Sequence, residues 1–351
     1  MKIILLLIPL FLLMFLAAAS AQAGSRWSKK KAWDWVRQKG WRVGCNYIPH
    51  TAVNQLEMWQ GETFDPATID KELGWAEGLG MTAIRVYLHD LLGQDLEGLT
   101  RRMNQFLEIA HKHRIAVLFV IFDDCWNGEF KAGPQPAPKP ATHNSRWLQS
   151  PGVSRVEDAQ EYPRLKTYVQ GVIKAFGQDD RVLGWDLYNE PGASGSENKS
   201  AGLLKRVFEW AREVNPSQPL TSGVWSGNRV IGNLQEELSD VISFHHYDTV
   251  ESLENYIVSL KKFGRPLLCT EYMARPRKSL FETHLPVFKR EGISCFNWGF
   301  VAGKTNTIYG WGEHVEGEPK VWFHDILRPD GTPFSQAEVD LIRKLTGKAS
   351  R

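Results

Sequence analysis

Eight short apolar segments, each followed by an amphipathic helical pattern, leave this chain few folds to choose from. The strand-like runs are Arg42–Tyr47, Ala83–Leu88, Ala116–Phe122, Val182–Tyr188, Leu220–Trp225, Val241–Tyr247, Pro266–Thr270 and Ile293–Asn297, each bounded by polar turns. Between them, Ile69–Gly78 is apolar at Ile69, Leu73 and Ala76, which matches a 3.6-residue period, with Asp65 or Thr68 as candidate cap. Similar stripes run through Leu99–His113, Pro163–Phe176, Leu203–Val214, Leu253–Phe263, Leu280–Arg290 and Ala337–Lys344, with a shorter piece over Val230–Leu238. Eight βα units in roughly 300 residues are the arithmetic of a (β/α)8 TIM barrel, which typically needs about 250 residues plus insertions. A doubly wound open sheet would place a glycine-rich phosphate turn after its first strand. Here that strand runs into Ile48-Pro49-His50.

The chain begins Met1-Lys2, continues as an almost unbroken apolar run from Ile3 to Ala19, and reaches Ala21-Gln22-Ala23. A basic start, an apolar stretch and a small-residue site form the pattern of a secretory signal peptide over residues 1–23. The rival is an uncleaved anchor, because the apolar run approaches the ~17–25 residues that span a bilayer. Cleavage after Ala23 would leave residues 24–351 as one barrel domain, secreted or periplasmic and free of the membrane. Cys45, Cys125, Cys269 and Cys295 stand singly, without metal-knuckle spacing. They read as buried free thiols, with one disulfide left open in an oxidising compartment. Lys and Arg total 42 against 40 Asp and Glu, which gives no reason to expect nucleic acid as partner. No cofactor is indicated.

Two connections are too long to be simple turns. Residues 123–162 follow the third strand and carry Pro134, Pro136, Pro138 and Pro140; residues 299–334 follow the eighth and carry Trp311 and Trp322. Both leave the C-terminal ends of strands, the face where barrel enzymes build their sites.

The chemistry concentrates at two strand tips. Trp185-Asp186-Leu187-Tyr188-Asn189-Glu190-Pro191 ends the fourth strand on a carboxylate, and Leu267-Leu268-Cys269-Thr270-Glu271 ends the seventh on another. A carboxylate pair across a glycosidic bond can protonate the leaving oxygen and attack the anomeric carbon, with about 5–5.5 Å between them when configuration is retained. Strict alternation would send Asn189 and Glu190 to opposite faces, so the strand has to end or bulge there, and Pro191 favours that.

On these residues the chain resembles the retaining TIM-barrel glycoside hydrolases, the clan of the cellulase family (glycoside hydrolase family 5, or the catalytic domain of family 2), over most of the stretch from Trp41 to Leu345. The resemblance implies Glu190 as acid/base and Glu271 as nucleophile. Asn189 would bind the sugar 2-hydroxyl, and Arg85, in Ile84-Arg85-Val86-Tyr87, would contact the nucleophile. His245 and Tyr247 match a His-x-Tyr on the sixth strand, the tyrosine again contacting the nucleophile, and Trp298 matches the platform under the reacting sugar. Where cellulase-type members carry a histidine near the end of strand three, this chain has Phe122-Asp123-Asp124-Cys125-Trp126. The implied substrate is a β-linked poly- or oligosaccharide: β-mannan, β-glucan, xylan or β-galactoside.

The residues agree independently. An ionised nucleophile would be favoured by Arg85 and the Tyr247 hydroxyl, while the acid needs an apolar setting or a negative neighbour to hold its proton. Arg85 has a rival reading as a structural ion pair with Asp186 inside the barrel. His245-His246 is not read as a metal pair, because strand neighbours point oppositely. Of 14 tryptophans, Trp33, Trp35, Trp75 and Trp210 fall in helical patterns and suit packing. Trp126, Trp225, Trp298 and Trp311 lie at or beyond strand ends and suit a cleft, while Trp59 and Trp147 are open. A catalytically silent sugar-binding barrel is the competing function, disfavoured because both carboxylates are present. A barrel enzyme for phosphorylated metabolites would show glycine-rich turns after strands seven and eight, yet Tyr272-Met273-Ala274-Arg275-Pro276 follows the seventh.

Overall fold

The computed structural model describes residues 24–348, so the expected leader over residues 1–23 lies outside the described part. Eight parallel strands alternate with helices: β1 Val43–Asn46, β2 Ala83–Tyr87, β3 Ala116–Asp123, β4 Val182–Asn189, β5 Leu220–Thr221, β6 Ile242–His245, β7 Leu267–Tyr272 and β8 Ser294–Asn297. Their order is β5-β4-β3-β2-β1-β8-β7-β6. The seam between β5 and β6 closes through a bridge of Val224 to Phe244, with the Val224 amide donating to the Ser243 carbonyl at 2.9 Å and the His245 amide donating to the Val224 carbonyl at 2.9 Å. The fold is the expected (β/α)8 barrel.

α1 (Lys29–Lys39) precedes the barrel and α2 (Gln55–Trp59) is a short insertion after β1. The barrel helices follow their strands in turn: α3 Pro66–Gly78, α4 Leu96–Lys112, α5 Tyr162–Phe176, α6 Ser200–Val214, α7 Arg229–Leu238, α8 Val250–Lys261, α9 Phe281–Glu291 and α10 Gln336–Thr346. Side-chain caps account for several starts. Asp65 accepts from the Thr68 amide, Asp95 from Gly98, Asn228 from Val230, Thr249 from Ser252 and Ser335 from Glu338. Among the described residues no helix is long and apolar enough to cross a membrane.

β5 is much shorter than the apolar run Leu220–Trp225 suggests. At Gly223 the backbone passes so close to the sixth strand that an added Cβ would sit 2.8 Å from His245 Nε2 and 3.2 Å from Thr270 Oγ1. The strand therefore breaks at Gly223 before re-pairing at Val224.

The two ends of the barrel differ in chemistry. A separate apolar cluster of Trp27, Ala32 and Trp35 with Leu118, Leu183, Leu268 and Phe296 stops the N-terminal end. The layer above it is polar and buried: Asn46, Arg85, Asp186 and Thr270. Polar side chains so placed need mutual hydrogen bonds, and the C-terminal mouth supplies them. All four cysteines are free. Because Trp35 lies at the end remote from the mouth, Trp35→Ala should cost about 3–5 kcal/mol of stability. Urea unfolding should show this loss while kcat of the folded fraction stays near wild type.

Candidate active site

Both strand-tip glutamates reach the mouth because the backbone leaves regular geometry beside them. Glu190 adopts φ +42°, a left-handed conformation that turns its side chain to the same side as Asn189. Asp124 holds this turn: it accepts from the Gly192 amide at 2.7 Å, from Tyr188 Oη at 2.6 Å and from the Ser200 hydroxyl. In β7 the register jumps from Phe244–Cys269 to His245–Glu271, leaving Thr270 as the extra residue of a bulge. Cys269 packs outward in the main core, and the bulge lets Glu271 line the cleft.

Arg85, fully buried, organises what lies beneath. Its Nε and Nη2 donate to Asp186 Oδ2 at 3.0 and 2.8 Å, Nη2 also donates to Asn189 Oδ1 at 2.6 Å, and Nη1 donates to Glu271 Oε1 and Asn46 Oδ1, both at 2.8 Å. The two readings of Arg85 hold at once: it is the barrel's internal ion pair and a contact of Glu271. Two tyrosines complete the grip on Glu271. Tyr87 Oη donates to Oε1 at 2.9 Å, and Tyr247 Oη to Oε2 at 2.9 Å. Three donors thus fix the position of this one carboxylate.

Glu190 has different company. His245 Nδ1 lies 2.7 Å from its Oε1 and 3.4 Å from Glu271 Oε2, so the imidazole bridges the two carboxylates. The Cys125 thiol donates to Glu190 Oε2 at 3.1 Å. Burial pushes that thiol's pKa well up, with the neighbouring carboxylates adding to it, so it stays a neutral donor. For Glu190 burial acts upward, but the hydrogen bond and charge of His245 outweigh it and hold the carboxyl below its usual value. Burial, which would favour a protonated acid, is therefore outweighed at Glu190 by its histidine neighbour.

A cleft of about 920 Å³ opens above these groups and brings the expected residues together. Asn189, Glu190, His245, Tyr247, Glu271, Trp126, Trp225, Trp298 and Trp311 all line it, and Arg85 sits beneath. The ring of Trp298 is braced edge-on by Tyr87 at 5.7 Å and Trp147 at 5.5 Å. Trp59 and Trp147 are buried structural residues, donating to the Tyr87 carbonyl and to Asp123 Oδ2 respectively. Trp33, expected to pack, is exposed and donates to the Gly264 carbonyl.

Three further residues, Tyr87, Asp123 and Cys125, serve the site without having been singled out by the sequence pattern. Tyr87 stands two positions after Arg85, hence on the same strand face, and that spacing is a signal the sequence does carry. Asp123 accepts from Asn189 Nδ2 at 2.9 Å and fixes that amide; burial, opposed by the Asn189 and Trp147 bonds, pushes its pKa up to about 7. His246 faces away from the two glutamates, as alternation requires, and meets Ser252 at the cleft's edge. Glu190, His245 and Glu271 nevertheless present three ligand atoms within 4.8 Å of one another. With Arg85 only 2.8 Å from Glu271, a divalent cation there would meet a fixed positive charge, so the set suits proton transfer better than metal binding.

A family model described as Cellulase (glycosyl hydrolase family 5) matches residues 79–303. The chain belongs to glycosyl hydrolase family 5. It is thus a retaining O-glycosyl hydrolase, as its resemblance implied. The family 5 chain shares its fold with a GH5_18 variant from Streptomyces cattleya solved with Manβ1-4GlcNAc (12% identity, 87% of this chain and 80% of that one, TM-score 0.60). It is also similar to the endo-β-1,4-mannanase of Thermotoga petrophila (15% identity, 90% and 79%, TM-score 0.58) and the endo-1,4-β-mannanase of Rhizomucor miehei (12%, 88% and 94%, TM-score 0.58). No curated protein sequence matches it.

Because His245 is what draws the Glu190 pKa down, His245→Ala should leave burial in charge and raise it above the usual carboxylate value. Carbon-13 NMR titration of the glutamate carboxyls, read against Glu190→Gln for assignment, checks the direction.

Proposed function

We propose that the protein is an exported β-glycosidase of uncharged β-1,4-linked oligosaccharides, those containing mannose foremost, with Glu271 as nucleophile and Glu190 as acid/base. The observation that carries the mechanism is the spacing: an oxygen of each carboxylate lies within 4.8 Å of the other, close to the roughly 5–5.5 Å of double displacement and well short of the 6.5–9.5 Å that inversion needs. Glu271, gripped by Arg85, Tyr87 and Tyr247, attacks the anomeric carbon. Glu190, as the acid, gives a proton to the glycosidic oxygen as its bond to that carbon breaks. Once Glu271 is esterified its charge is gone, which makes Glu190 easier to ionise. Glu190 then takes a proton from the water that displaces Glu271, and the original configuration returns. Asn189, fixed by Arg85 and Asp123, is placed to bind the 2-hydroxyl, with Trp298 under the ring.

The preference for an uncharged sugar follows from the cations nearby. Arg85 is saturated by Asp186, Asn189 and Glu271, and Arg277 is paired with Asp248. Burial lowers His143 to about 4, leaving it neutral at pH 7. A uronic acid would find no free partner among them. Mannose is favoured by the structural neighbours, two of them mannanases and one solved with Manβ1-4GlcNAc. Export rests on the pattern of residues 1–23.

Hydrolysis should be measured over β-1,4-mannan, β-glucan, xylan and galactan oligosaccharides. The largest kcat/KM is expected on the mannose series, and a larger value on another series would replace that assignment. Proton NMR should show the β-anomer as first product. Glu271→Ala should abolish turnover, and Glu190→Gln should cost about 10²–10⁴-fold on natural substrates but much less on aryl glycosides whose leaving group needs no proton.

A further inference from the structure

We infer that the enzyme is exo-acting, removing single sugars from the non-reducing end of its substrate, because three loops seal the cleft immediately beyond the reacting sugar. The inference rests on the assignment of Glu190 and Glu271 above. With Glu190 protonating the leaving oxygen, the aglycone leaves on its side. There the cleft stays open past Trp225, Ser226 and Arg229 towards Asn255 and Tyr256 of α8.

The opposite direction, past Asn189 and Trp298, is walled. Among the described residues, no lining residue of the cleft comes from the loops after β1 or β2. Behind Trp298 the space bounded by Tyr87, Asn144, Trp147 and Thr305 amounts to about 20 Å³. Roughly 10–15 Å³ of such space holds one water, so no second sugar fits there.

The wall is tied on every side. The loop after β3 meets the loop after β8 where the Asn144 amide donates to the Thr305 carbonyl at 2.8 Å, and Asn306 Nδ2 donates to the Lys139 carbonyl at 2.9 Å. His143 Nδ1 adds a bond to the Tyr309 carbonyl at 2.8 Å. The β1 loop joins both: Gln55 Nε2 donates to the Leu148 carbonyl at 2.9 Å, and Lys304 pairs with Glu57 at 2.8 Å. With Asn144 and Trp147 themselves buried, opening a second glycone position would require breaking several of these ties together.

The test uses mannopentaose, cellopentaose and xylopentaose, each carrying a fluorescent tag at the reducing end, with the full-length enzyme. On whichever is cleaved, the tagged chain should shorten by one sugar at a time, and monosaccharide should be the only untagged product from the earliest time points. Blocking the non-reducing terminal 4-hydroxyl by methylation should slow cleavage more than 100-fold. Early untagged disaccharide or trisaccharide, or an unchanged rate on the blocked substrate, overturns the inference while leaving a working retaining glycosidase. Turnover of no β-glycoside at all overturns the proposed function, and this inference with it.

Discussion

The site depends on one buried guanidinium. Arg85 ties β2 to β1 through Asn46, to β4 through Asp186 and Asn189, and to β7 through Glu271. Removing one partner from a buried charge pair typically costs about 3–5 kcal/mol, because the other charge is left without compensation. Here two carboxylates would be stranded together in the barrel interior. Arg85 therefore makes it possible to keep Asp186 and Glu271 buried, at 0% and 5% exposure, in one hydrogen-bonded network.

The remaining placement is done by departures from regular structure. Glu190 sits at positive φ, Thr270 is the extra residue of a bulge, and Gly223 interrupts β5 where His245 leans across. The first two aim side chains that ideal strand alternation would send elsewhere, and the third leaves room for His245. A non-glycine residue in left-handed backbone costs on the order of 1–3 kcal/mol, and Asp124, bonded to Tyr188, Gly192 and Ser200, secures the Glu190 turn against that cost. The stop of tryptophans at the far end leaves the polar mouth free of that structural duty.

Much of this architecture is legible in the amino-acid sequence. The eight strand-and-helix repeats are local patterns, so the barrel can be read from them, and Asp65 is indeed the cap of α3. The two glutamates are legible because apolar runs end on them, and the tryptophans at strand ends, Trp126, Trp225, Trp298 and Trp311, all reach the cleft. The features that escape such a reading depend on contacts distant in sequence or on very short elements. α2 is five residues long, too short to show a helical period. The clasp of the β3 and β8 loops joins residues more than 150 positions apart, and each of its bonds ends on a backbone carbonyl, which carries no sequence signal. The pull of His245 on Glu190 crosses 55 positions and reverses the direction that burial alone would give.

The central claim is that Glu271 forms a covalent bond to the sugar while Glu190 moves the proton. It is tested most directly by incubating the enzyme with an activated 2-deoxy-2-fluoro-β-mannoside, which slows release of the glycosyl-enzyme, and mapping the adduct by peptide mass spectrometry. The account predicts one fluorosugar per chain, carried on Glu271. An adduct on Glu190 or any other residue would contradict it.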